Sequence, residues 1–205
     1  MVRVKKDITA DDSAASERLL LAALQLFNSK GYAATSVREI VAEAGVSKPV
    51  LYYYFGSKEG IYLALMEQVH ARFQEVASRN IVASGSARDR IIGFITDMYD
   101  KISQERALVR LILSIYYGPP QGAPHFPHEQ YFDAMLEIVA GMLQEGMESG
   151  ELRRVDLQVA SWSVISCLNT VMEERACSDT PRIDRDGLAL MAGLVLDGIG
   201  NGGLR

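Results

Sequence analysis

From residue 13 onward apolar side chains return every three or four positions, and no stretch sustains a strict apolar–polar alternation. That period belongs to helices burying one stripe and argues against half-buried strands. A first helix over 13–30 sets Leu20, Leu24 and Phe27 on one face and ends on Lys30-Gly31, a basic residue followed by a terminating glycine. Val37, Ile40, Val41 and Ala44 then repeat the i, i+3, i+4, i+7 pattern. Thr35 and Ser36 are both placed to cap that helix, and Ser36 with Glu39 spells a capping box. It stops at Ala44-Gly45-Val46, and Ser47 is placed to cap a second short helix through Phe55. Two short helices across a glycine turn are the sequence form of a helix-turn-helix, here over about 36–55.

Ser57 opens a longer helix, 58–80, with Ile61, Leu65, Val69, Phe73 and Val76 on its buried stripe. Further amphipathic runs cover 87–103, 105–117, 129–149, 157–177 and 184–199, separated by ASGS, GPPQGAPHFP, SGELRRVD and SDTPRID. The expected fold is all-α, about nine helices, with an N-terminal three-helix domain and a larger C-terminal helical domain. The expected divisions are an arm over 1–12, a domain over 13–75 and a second over 76–205.

The stretch SKPVLYYYFGSKEG, residues 47–60, complicates a purely structural reading. Successive helical residues turn by about 100°, so Tyr52, Tyr53 and Tyr54 spread over more than half the circumference and cannot all face the core. Two lysines flank the run, which suits an anionic partner. The net charge of −5 argues against nucleic acid until its distribution is read. Residues 1–60 carry eight Lys or Arg against seven Asp or Glu, and the acidity sits in the remainder. Salt screens charges beyond about 10 Å, so a local basic face remains available to phosphate.

Charge and cysteine exclude other classes. No run of about 18 apolar residues is without charge or punctuation, so a membrane span is not expected and the expected location is cytoplasmic. Cys167 and Cys177 lie ten apart in one predicted helix, about 15 Å, too far for a disulfide. GIGNGG, 198–203, formally spells G-x-G-x-x-G, but no strand precedes it and the chain ends at Arg205. The HFPH loop of 125–128 has two histidines without a nearby cysteine, so neither a metal nor a cofactor is expected. No nucleophile elbow, H-E-x-x-H or phosphate loop appears, and no enzyme activity is expected.

Residues 13 to about 75 resemble the DNA-binding domain of the TetR family of transcriptional regulators. The resemblance runs through LFNSKGYAATSVREIVAEAGVSKPVLYYYFGSKEGIYLAL: the Gly31-Tyr32 turn, Thr35, Ile40, Ala44-Gly45-Val46-Ser47, Leu51-Tyr52-Tyr53, Phe55 and Lys58-Glu59. Tyr54 stands where histidine is commoner. Leu51 and Phe55 are expected in the core. The resemblance implies that Ser47, Lys48, Pro49 and Val50, the first turn of the second helix, meet base edges in the major groove. Lys48 suits guanine or phosphate and Pro49 and Val50 a thymine methyl, although a lysine beside a helix-starting proline is equally a solvated residue when taken alone. Tyr52 and Tyr53 suit phosphate oxygens.

Lys58 opposes the dipole of its own helix, and a phosphate held there with the free amides would compensate it. Thr35 and Ser36 offer a second phosphate site, with Arg38 nearby. Arg3, Lys5 and Lys6 make the N-terminal arm either a solvated tail or a groove contact.

For the remaining chain, the resemblance implies an effector cavity, a homodimer interface and an operator of double-stranded DNA. The expectation is a repressor released by a small, hydrophobic effector that moves the 58–80 helix. Candidate effector contacts are Tyr99, Tyr116, Tyr117, Trp162 and Asn169, amphipathic or polar groups in apolar runs, with Met98, Met135, Met142 and Met172 as adaptable wall. Leu188, Met191, Leu194, Val195 and Ile199 are expected at the dimer interface. Two competing readings remain at this level. One is a helical small-molecule-binding protein or enzyme whose DNA-binding-like domain is incidental; the other is an architectural DNA binder, which would not need so large an acidic domain.

Overall fold

A computed structural model describes residues 10–81, 84–118 and 120–200. Among them are nine α-helices: α1 (Ala10–Lys30), α2 (Val37–Glu43), α3 (Lys48–Phe55), α4 (Lys58–Ile81), α5 (Ala87–Ser103), α6 (Arg106–Tyr116), α7 (His128–Glu148), α8 (Leu157–Cys177) and α9 (Arg185–Gly198). An isolated antiparallel bridge joins Leu152 to Gly200. The all-α expectation holds. Arg3, Lys5 and Lys6 of the arm lie outside the described residues, as do residues 201–203 of GIGNGG.

The chain forms two compact units. The first comprises residues up to Gln68 together with Leu111–Phe126. Leu19, Ala23 and Phe27, each four apart on α1, are buried with Ile40 and Val41 of α2 and Leu51 of α3. The first half of α4 adds Ile61, Tyr62 and Leu65. Local chemistry decides where these short helices begin and end. Ser36 and Glu39 form the capping box in both directions. At the other end of α2, Gly45 takes φ +63°, and the Val46 amide then donates back to Val41 O at 3.0 Å. Arg18 of α1 reaches the same corner and donates to Ala44 O. A tight turn leads directly into α3, which presents Pro49 in its first turn, where a missing amide hydrogen costs nothing.

The second unit comprises Val69–Arg110 with the chain from Pro127 onward. Its centre is α5, packed on α7, α8 and α9, while α8 also packs on α7 and α9. Ile91, Phe94, Ile95 and Met98 of α5 meet Val139 and Leu143 of α7, Val164 and Leu168 of α8, and Leu188 and Leu196 of α9 in this core. The side chains of Ser86, Asp156 and Asp184 cap α5, α8 and α9. At the surface, Arg182 grips Glu174 with two nitrogens, closing the turn between α8 and α9.

The division falls inside two helices, α4 and α6, so each contributes residues to both units. The segment 111–126, read from sequence as part of a domain over 76–205, belongs to the unit that contains the helix-turn-helix.

Candidate nucleic-acid interface

The geometry of α3 is set by one buried residue. Leu51 is fully buried and anchors the helix, which turns its neighbours outward: Ser47, Lys48, Pro49, Tyr52 and Tyr53 are exposed and Val50 is partly so. Tyr52 and Tyr53 are 51% and 68% exposed, more than a core role allows. Tyr54 turns partly inward and packs edge-on against Tyr53, ring centroids 4.9 Å apart, and tilted on Phe55. The run therefore divides between scaffold and surface. Ser47 has the extended backbone of an N-cap residue, but its side chain makes no capping bond, leaving the hydroxyl at the surface beside Lys48.

These residues border an open concavity of about 550 Å³ lined by Ala15, Arg18, Val46, Ser47, Pro49, Val50, Tyr53 and Tyr54. Arg18 was missed by sequence reasoning because it belongs to α1, and only the packing of α1 against α2 and α3 brings its side chain to this edge. Helix α3 contains no acidic residue. The start of α3 thus presents an amine, serine and phenolic hydroxyls and no carboxylate, a composition chemically suited to an anion, with Pro49 and Val50 beside it. Arg38 is exposed on α2.

Three of the expected phosphate ligands are placed otherwise. Thr35 is buried and its hydroxyl donates to Gly31 O at 2.8 Å, so it is part of the turn. The Ser36 hydroxyl donates to the Glu39 carboxylate at 2.7 Å, and that acid beside it repels a phosphate. The pKa of Glu39 is itself held down to about 2 by hydrogen bonds from Lys30 and then Ser36. Lys58 donates to Tyr32 O at 2.9 Å and Thr35 O at 2.8 Å, and lies 4.1 Å from the centroid of the Tyr32 ring. Burial pushes its pKa down. The compensation for a cation at a helix start thus comes from two carbonyls and an aromatic face rather than from DNA.

The five effector candidates are divided between the two units. Tyr99 is buried inside the second unit, whereas Trp162 and Asn169 lie exposed on α8. Tyr116 and Tyr117 belong to the first unit, pack edge to face and are largely exposed. Leu188 is likewise corrected: it is buried within its own unit and is not available to a partner. Leu194 is 76% exposed, Met191, Val195 and Ile199 are partly so, and Leu190, missed from the sequence, is 72% exposed. Val159 and Trp162 are exposed on α8, with the Phe132 ring centroid 5.0 Å from that of the indole.

Among the described residues no group of histidine, cysteine or acidic side chains could hold a metal, and no helix is long and apolar enough to cross a membrane.

A helix-turn-helix with a basic, phenolic and acid-free second helix defines a DNA-binding regulator. The family model described as bacterial regulatory proteins, tetR family, matches residues 19–65. The chain is 30% identical over 152 residues to the HTH-type transcriptional activator FasR of Mycolicibacterium smegmatis, covering 73% of this chain and 68% of the relative. It belongs to the TetR family of transcriptional regulators.

Solved structures share the fold. The TetR family transcriptional regulator PfmR from Thermus thermophilus superimposes with a TM-score of 0.71 at 24% identity, covering 87% of this chain and 97% of that one. The transcriptional regulator FadR from Bacillus subtilis, solved in complex with stearoyl-CoA, does so at 0.65 and 19%, covering 89% and 98%.

Proposed function

We propose that the protein works in the cytoplasm as a C2 homodimer whose paired α3 helices grip a palindromic operator, and that it is a repressor released by a small hydrophobic effector. The observation that carries this is the division of α3: Leu51 is held inside while Ser47, Lys48, Pro49, Tyr52 and Tyr53 stand outside. Apolar side chains left exposed at Leu190 and Leu194 of α9 and Val159 of α8 support pairing with a second copy, which would remove them from water. The effector proposed is a long-chain acyl thioester, the class represented by the stearoyl-CoA held by the Bacillus subtilis structure. In the second unit Met98, Tyr99, Met142 and Met172 are all buried, residue types suited to an adaptable apolar wall with a polar handle. Release by 5- to 150-fold requires about 1 to 3 kcal/mol of coupling between the two sites.

The test is recovery of fragmented source DNA on the purified protein, with and without stearoyl-CoA, beside a variant carrying Lys48→Ala and Tyr53→Ala. A palindrome enriched by the wild type, lost in the variant and released by the ligand is expected. Equal recovery by the variant would remove Lys48 and Tyr53 from the interface. A second reading has its own support: the relative at 30% identity is named an activator. A reporter driven by the enriched sequence separates the two, since deleting the regulator raises expression under a repressor and lowers it under an activator.

A further inference from the structure

We infer that Gln121, in the connection between α6 and α7, is a positioning residue for DNA reading, splinting the α1–α2 turn to the end of α6. Its Oε1 accepts from the Tyr32 amide at 3.2 Å, and its Nε2 donates to Ser114 O at 3.4 Å. Both carboxamide ends are therefore used across 89 and 7 residues of sequence. Gly31 is fitted to this contact: it has φ +85°, and a Cβ there would stand 2.9 Å from Gln121 Oε1.

Tyr32 is where the contact becomes structural for the reading helices. Its amide is held by Gln121, its carbonyl accepts from Lys58, and its ring packs on Phe27 and Tyr62 at 5.3 and 5.4 Å. Lys58 also holds Thr35 O, one residue before the Ser36 cap of α2. A chain of direct contacts thus runs from Ser114 through Gln121, Tyr32 and Lys58 to the start of α2, on which α3 packs. Gln121 is absent from the residues lining the concavity beside α3, so its effect on DNA is exerted through the turn. The inference rests on the operator-binding reading above.

The experiment combines amide hydrogen exchange at Tyr32 with binding of the full-length protein to the duplex recovered from source DNA, for wild type, Gln121→Ala and Gln121→Glu. In Gln121→Ala, Tyr32 exchange is expected to quicken and duplex affinity to fall, each about fivefold, the worth of one net hydrogen bond. The salt slope of binding should stay at the wild-type value, because no phosphate contact is lost, and the thermal midpoint should fall by only about 2 to 4 °C, the effect of one net hydrogen bond in a chain of this size. Gln121→Glu keeps an acceptor for the Tyr32 amide but has no donor for Ser114 O, so Tyr32 protection should return while duplex affinity stays below wild type, and a full return of affinity would overturn the splint to α6. Wild-type exchange and affinity in Gln121→Ala would overturn the inference, as would an affinity loss accompanied by a smaller salt slope or by a midpoint lowered by well over about 4 °C, the mark of general destabilisation. A wild type that retains no duplex refutes the operator-binding reading itself, and this inference with it.

Discussion

Lys58 shows how a residue's neighbours can reverse its apparent role. From sequence it is a cation at the wrong end of a helix, and in the structure it binds two carbonyls that no local pattern places beside it. Leu51 was legible, because a leucine four residues from Phe55 on a short helix has few places to go but inward. Leu51→Ala should cost about 2 to 5 kcal/mol in denaturant unfolding, and a loss below about 1 kcal/mol would mean that α3 is not anchored there. Tyr62 was not legible: its ring is fully buried and its hydroxyl finds no partner among the described residues. Tyr62→Phe removes that hydroxyl and should leave stability unchanged or raise it by about 1 kcal/mol, measured the same way.

Glu174 gives a pH prediction. Hydrogen bonds from Arg182 hold its carboxyl near 2 against an ordinary 4.5, so folding is favoured by the ionised form. That contribution is complete above about 4.5 and is lost as pH falls through 2. Thermal midpoints of wild type and Glu174→Gln should converge as the pH falls from about 5 to about 2, and a constant gap across that window would contradict the assignment.

At the scale of the element, helix boundaries followed local rules. Ser36-x-x-Glu39, the Gly45 turn and the caps at Ser86 and Asp156 are decided by bonds within a few residues, which is why the predicted spans lie close to those observed. Which lysine is left at the surface was not local. Lys48 is exposed at the start of α3, whereas Lys58, at the start of α4, is occupied within the protein. Lys48→Ala should lower both duplex affinity and the magnitude of the salt slope, by about one phosphate contact. Lys58→Ala should weaken binding with the slope unchanged, because it loosens the turn and removes no phosphate partner. Titrating each variant from about 50 to about 200 mM salt distinguishes them, and equal slope changes would return Lys58 to the DNA surface.

Across the whole molecule, the proposed pairing rests on which face of α9 is spare. Leu188 and Leu196 face α5 and α8, leaving Leu190 and Leu194 to water. Leu190→Glu with Leu194→Glu should shift the protein from dimer to monomer in light scattering at micromolar concentration, with helical content retained. A dimer that survives both charges would place the interface elsewhere.

What the sequence determined by itself was the list of helices, their caps and the reading motif, all governed by interactions over a few residues. The distribution of roles was decided by packing. Burial turned Thr35 inward, assigned Leu188 to its own core and kept Trp162 and Asn169 on the outside of α8. The grouping of 111–126 with the helix-turn-helix depends on contacts such as Gln121 to Tyr32, 89 residues apart. Periodicity specifies that a helix has a buried face; only the partner helices specify which exposed residues share a surface, because those distances are set by chain segments remote in sequence.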